Sequence, residues 1–152
     1  MAGSPVITVW EHAREVEWKA GEAMIVRTLE DVIDSPRHVS GEGWESRRIL
    51  LKVDGMGFSL HDTVVREGTE QRLHYKHHLE ANYCISGIGE VVDVKAGRSY
   101  PIGPGTLYAL DQHDEHVLRA ISGDLRLVCV FNPALSGQEK HQADGSYARP
   151  AD

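Results

Sequence analysis

A chain of 152 residues, 41% hydrophobic and 26% charged, has the size and composition of one globular domain that can bury a real core. A net charge of −7 argues against nucleic acid as a partner, because phosphate contacts require a basic face. No apolar run approaches the ~20 residues that span a bilayer, so no membrane partner is expected. The N-terminus MAGSPVITVWEHAREVEW lacks the basic start and apolar stretch of a secretory signal. Cys84 and Cys129 lie in apolar runs with no CxxC spacing. A reduced, cytoplasmic protein without a disulfide is expected.

In chain order, residues 1–23 form an extension. Thr8 to Glu11 has the form of a capping box, and Val9, Ala13, Val16 and Ala20 recur at helical spacing up to Gly21. A short amphipathic helix is expected there, followed by a single domain over residues 24–152. MIVRTLEDVI restarts the pattern at Met24. From Arg48 the period changes to two. RILLKV and GFSLHDTVV flank Asp54-Gly55 as a hairpin, REGTE is a turn, and RLHYKH and EANYCI are strands. SGIGE reads as a turn, VVDV and SYPI as a hairpin, and TLYAL, HVLRAI and LRLVCVF as strands, with SGD a turn between the last two. Eight to ten short strands with Gly- and Asp-rich turns predict an all-β barrel or sandwich. The polar tail from Asn132 is expected to be irregular.

Two stretches carry chemistry. Gly68-TEQRL-His74-Tyr-Lys76-HHL-Glu80-ANYCIS-Gly87 resembles the first cupin motif, with lysine in place of the usual second histidine. Gly105-TLYAL-Asp111-Gln-His113-DE-His116-VLR-Ala120 follows the spacing of the second, with Asp111, His113 and Ala120 replacing the common Pro, Gly and Asn. Two motifs in order on strands predict a cupin-type jelly-roll barrel with a short N-terminal helix and an irregular C-terminal tail. Inward side chains of a small barrel converge on its interior. A carboxylate and an imidazole there, Glu80 and His116, suit a divalent metal such as Fe(II) or Zn(II). Strand parity puts Glu80, Asn82 and Cys84 on one side.

The segments MIVRTLEDV, GWESRRILLKVDGMGFSLHDT, HYKHHLEANYCISGIGEV, PGTLYALDQHDEHVLRA, VCVFNPALSG and DGSYA together resemble ectoine synthase, a cupin enzyme of compatible-solute biosynthesis. The resemblance covers nearly all of residues 24–150. Asn82, Ser86 and Ile88 depart from the commoner EAVYCIEGEGEV. The resemblance implies a hydro-lyase that closes N-γ-acetyl-2,4-diaminobutyrate into the cyclic amidine ectoine with loss of water. It implies iron held by Glu80, Tyr108 and His116, with His74 near the metal but not bound to it. It implies a substrate pocket of Trp44, Arg48, His61, Thr63, Cys129 and Phe131, with Arg48 suited to a carboxylate. Tyr75, Glu139 and His141 are the implied proton-transfer and closing groups, and a homodimer is the implied assembly. The fold by itself leaves open another metal-dependent cupin enzyme, a dioxygenase or isomerase, or a non-catalytic small-molecule-binding cupin.

Overall fold

The computed structural model describes residues 24–150, so the helix expected in residues 1–23 lies outside the described residues. Among the described residues α-helix is limited to one turn, α1 (Leu29–Val32). It is set by a capping box: the Asp31 N–H donates to Thr28 Oγ1 at 3.3 Å, and the Thr28 N–H donates to Asp31 Oδ2 at 2.8 Å. No helix among the described residues is long and apolar enough to cross a membrane.

Eight strands follow: β1 (His38–Gly41), β2 (Trp44–Leu50), β3 (Ser59–Val65), β4 (Glu70–Leu73), β5 (Leu79–Asp93), β6 (Arg98–Ile102), β7 (Leu107–Leu110) and β8 (His116–Asn132). Pairing runs β1-β2-β3-β8-β5-β6, with β4 added to β8 and β7 added to β5. The long central strands each serve two neighbours. The first half of β8 pairs β4 and its second half pairs β3, while the first half of β5 pairs β7 and its second half pairs β6. All pairs are antiparallel, and only β1-β2, β2-β3 and β5-β6 join strands consecutive in the chain.

Both long strands change parity where they bend. In β5 the buried positions are Glu80, Asn82 and Cys84, then Gly89 and Val91; in β8 they are His116, Leu118 and Ala120, then Leu125, Leu127, Cys129 and Phe131. Register shifts between Cys84 and Gly89 mark the change. An extra residue in a ladder bends the strand and turns the following side chains over, so the apolar face stays inward on both sides of the bend. Leu73 and Leu118 from one half thus join Leu127 and Phe131 from the other in a single core. SGIGE and SGD are therefore bulged bends inside continuous strands, not the chain reversals expected from their glycines. Gly89 is required at the bend because a Cβ there would run into the Arg119 carbonyl. The expected strand RLHYKH stops at Leu73. The His74 N–H donates to the Gly145 carbonyl of the tail at 3.0 Å, and His113 Nδ1 lies 2.8 Å from the Tyr75 carbonyl and 3.1 Å from that of His78. Residues 74–78 are held by the tail and by His113 instead of by a strand partner.

Candidate active site

The register aligns the inward side chains in rows. One row across the sheet reads Ser59, Phe131, Glu80, Leu110; the next reads Arg48, His61, Cys129, Asn82, Tyr108; the third reads Ser46, Thr63, Leu127, Cys84. From these rows Phe131, Glu80, His61, Cys129, Asn82 and Tyr108, with Ser46, Thr63 and Leu127, line a cavity whose empty space is about 410 Å³ with the open solvent at its mouth included. Trp44, His61, Thr63, Tyr75, Glu80, Tyr108, Cys129, Phe131 and His141 all line it, which brings together most of the residues singled out by sequence. It also takes in Ser46, Asn82 and Tyr147.

Glu80 is buried, and loss of hydration pushes its carboxyl up to about 8, with the neighbouring Asn82 amide partly offsetting the shift. Burial likewise raises the Tyr108 phenol well above its usual range, and the Glu80 charge adds to the effect. His116 is 1% exposed. Its Nδ1 lies 3.0 Å from the Asp114 carbonyl, which fixes that nitrogen as the N–H, while Nε2 is buried without a partner. Its ring centroid is 6.4 Å from that of Tyr108 and 6.0 Å from that of Tyr75. His116 lines an outer groove with Asp93, Asp111 and Asp114, and Tyr108 lines both that groove and the cavity, so the Tyr108 ring stands between the two. Among the described residues no three His, Cys, Asp or Glu side chains cluster as a metal site. A set built on Glu80 and His116 has to take its third donor from another residue type, and the Tyr108 phenol is adjacent.

On the other side of the cavity, aromatic rings form a stack. Tyr147 lies between Tyr75 at 5.0 Å and His141 at 4.7 Å, nearly parallel to the latter, and Trp44 sits 5.0 Å from His141. The Tyr75 hydroxyl is 2.8 Å from His141 Nε2. Burial, then the Arg48 charge, lowers His141 to about 4, while burial raises Tyr75. At neutral pH the phenol therefore donates to a neutral imidazole. His61 is fixed between two hydroxyls, Ser46 Oγ at 3.2 Å and Ser59 Oγ at 3.1 Å, and burial, then the Arg48 charge, keeps it neutral.

Three expected site residues lie outside the cavity lining: His116, on the groove side of Tyr108, and Arg48 and Glu139. Arg48 is 0% exposed and its donors are committed: Nε to Ser46 Oγ, Nη1 to the Gly137 carbonyl at 2.7 Å and Nη2 to the Glu139 carbonyl at 2.6 Å. In this structure it clamps the tail and does not present a free fork to a carboxylate. The Glu139 carboxylate turns back to accept from the Ser136 and Gly137 N–H groups at 2.8 and 2.7 Å. Burial would raise it, but those backbone donors outweigh burial and hold it low. The main residue that sequence reasoning missed is Tyr147, the one Tyr, Phe or Trp of the tail. An aromatic in a polar, turn-rich segment was the available signal. Cys84 is core, as expected of a small apolar residue.

An antiparallel β-roll that buries an acid and an imidazole from its two long strands and a phenol from the short strand between them in the chain defines the class: a cupin-type small-molecule enzyme. The sequence pattern described as ectoine synthase matches residues 24–151. The L-ectoine synthase of Desulfatibacillum aliphaticivorans is 60% identical over 126 residues, covering 82% of this chain and 96% of that protein. That of Halalkalibacterium halodurans is 56% identical over 124 residues, covering 82% and 95%. The crystal structure of ectoine synthase from P. lautus superposes with a TM-score of 0.71 at 54% identity, covering 75% of this chain and 81% of that one. The polyketide cyclase RemF from Streptomyces resistomycificus, at 19% identity and a TM-score of 0.60 over 72% of this chain and 80% of that one, shares the fold alone. The chain belongs to the ectoine synthase family, and it is an enzyme of the hydro-lyase type.

Proposed function

We propose that this enzyme closes N-γ-acetyl-2,4-diaminobutyrate into ectoine. The α-nitrogen bonds to the acetamide carbon, and the acetamide oxygen leaves as water with two of the four nitrogen-bound protons of the zwitterion; the cyclic amidinium keeps the other two. Beyond family membership, one observation carries the reading. Glu80 and Tyr108 line the cavity, and Tyr108 shares the adjoining groove with His116, whose Nε2 has no partner, so three donors of different type gather about the Tyr108 wall.

These donors fit a divalent cation such as Fe(II). His116 already has the tautomer a ligand needs, with Nδ1–H held by the Asp114 carbonyl. A buried carboxyl and phenol with raised pKa values gain from a cation beside them. When bound, the metal would supply Lewis-acid polarisation of the acetamide carbonyl, with no redox change. The chain's own residues do the rest. Trp44, Phe131 and Tyr147 give an apolar wall that favours a folded chain and so raises the effective concentration of amine at carbonyl. The Tyr75–His141 pair is the base for the α-ammonium: the phenol oxygen takes that proton as it passes its own to neutral His141, and the Tyr75 hydroxyl then returns a proton to the departing oxygen. Arg48 and Glu139 keep the tail closed over this pair.

The same reading makes the enzyme a cytoplasmic producer of a compatible solute under osmotic stress, acting as a homodimer. Supporting the dimer is an exposed apolar strip on which Tyr83 and Leu107 face each other across β5 and β7, with Ile85 and Ile88 further along β5. The test is one assay: purified protein, Fe(II), N-γ-acetyl-2,4-diaminobutyrate and chromatographic detection of ectoine. Ectoine formation that chelation abolishes is the expected result. No ectoine from a folded, metal-loaded protein would sink the proposal.

A further inference from the structure

Asn82 has no role in the reaction as described above. It is 1% exposed, lines the cavity, and its amide Nδ2 is buried without a hydrogen-bond partner. Buried donors are nearly always satisfied, and one left open costs stability that a shape-matched apolar side chain would not. Its neighbours explain why the amide stays open. Glu80, two residues back on the same face, is close enough for the Asn82 amide to offset part of its raised pKa, but the two do not meet in hydrogen-bonding geometry, so the amide is left short of a full partner. Across the ladder on β8 the Cys129 thiol points its hydrogen at the Leu127 carbonyl, and a thiol sulfur is a weak acceptor. Across the ladder on β7 stands Tyr108. The amide thus sits between two of the three proposed metal ligands and faces the space left for substrate.

We propose that Asn82 is a substrate-binding residue of this enzyme, its carboxamide N–H donating to the acetamide oxygen of the bound substrate. The assignment rests on the cyclisation proposed above. The acetamide oxygen is the acceptor this corner suits. A substrate carboxylate would lie against the Glu80 carboxyl, whereas the amide oxygen is neutral on binding and gains negative charge only as the α-nitrogen attacks. A fixed neutral donor aimed at that oxygen stabilises the developing charge, and it is buried beforehand, so it needs no reorganisation during the reaction.

The variant that tests this is Asn82→Leu, which keeps the shape and removes the donor. Five quantities are read on the iron-loaded wild type and variant: melting temperature, iron content, calorimetric Kd for N-γ-acetyl-2,4-diaminobutyrate, kcat and KM. The expected result is an equal or higher melting temperature, unchanged iron, at least threefold weaker substrate binding and at least tenfold lower kcat. A donor to the substrate carboxylate would instead raise KM with kcat unchanged, and that outcome overturns the assignment. Loss of iron overturns it too, because Asn82 would then act by holding Glu80. Unchanged Kd and kcat overturn it outright. Wild-type protein that neither binds nor cyclises the substrate would remove the proposed reaction and this assignment together. Wild-type turnover with an unaffected variant removes the Asn82 assignment alone.

Discussion

At the scale of single residues, the cavity divides into a wall of prospective metal donors and a stack of proton-handling rings. Glu80→Ala and His116→Ala are expected to abolish bound iron and activity while the β-roll still folds, because neither side chain belongs to the apolar core cluster. Metal analysis of both purified variants checks this, and iron retained at wild-type level in both would defeat the ligand assignment. Tyr75→Phe removes the hydroxyl that donates to His141 and leaves the ring stack intact. A positioned acid or base contributes about 10²-fold or more, so kcat is expected to fall by roughly that factor with substrate Kd within about threefold of wild type. A phenylalanine variant with full kcat would leave the proton to another group.

At the scale of elements, two clasps tie irregular segments to the β-roll. The first joins the N-terminal segment to the turn after β2. Asp54 accepts from Arg27 at 2.7 Å and from Arg37 at 2.9 Å, and from the Leu51 N–H at 2.8 Å. Burial alone would raise its pKa, but the two arginines and that N–H outweigh burial and hold it well below the ordinary carboxylate range. A depressed folded-state pKa gives stability that is complete above the unfolded value of about 3.9 and is lost as pH falls towards the folded value. Asp54→Asn is therefore expected to cost about 3 kcal/mol at pH 7, as for a buried ion pair missing one partner. In urea titrations from pH 7 to pH 2.5, the gap between wild type and variant should shrink below pH ~4. A gap that stays constant with pH would show that the clasp is not ionic.

The second clasp is the tail. Chain ending at Gly137 loses the Glu139 carbonyl that Arg48 holds, together with His141 and Tyr147. A buried guanidinium is then left partly unpaired, and the aromatic wall opens to water. The truncated protein is expected to keep its iron, since Glu80, Tyr108 and His116 all lie upstream. It should melt several degrees lower and lose most of its turnover. Cyclisation at the full-length rate would show that the tail neither shields nor serves the reaction. Glu139 belongs to this clasp through its turn-capping carboxylate. Glu139→Gln, which keeps part of that capping, should retain more kcat than Glu139→Ala.

At the scale of the whole molecule, the outer face of β5 and β7 presents Tyr83, Ile85 and Leu107 to solvent, with Leu107 63% exposed. Apolar strips of this kind mark interfaces, and a two-fold dimer covers the same patch on both copies. Light scattering at micromolar concentration is expected to give the mass of two chains. Leu107→Glu should give one, with the fold retained. A wild-type monomer would leave the strip unexplained. Residues 1–23 precede every group assigned to the site, so a chain beginning at Met24 is expected to keep iron and turnover within about twofold.

The sequence by itself determined the class of fold, the inward placement of Glu80 and His116, and the family. Period-two alternation dictates strands whatever the rest of the chain does, and the spacings around Glu80 and His116 put both residues at inward positions of those strands. It also placed His61, Thr63, Cys129 and Phe131 correctly on shared faces, because alternation fixes which side a residue takes once the strand exists. It misjudged the glycines of SGIGE and SGD, since a local run cannot tell a bend inside a strand from a reversal of the chain; only the partner strand across the ladder decides that. The tertiary structure alone showed that Arg48 and Glu139 work on the tail, that Tyr147 completes the ring stack, and that the Asn82 amide is left without a partner. Each of those depends on where long side chains and a patternless segment come to rest after the roll has closed, through contacts as distant in sequence as Arg48 to Glu139. No local periodicity encodes such contacts.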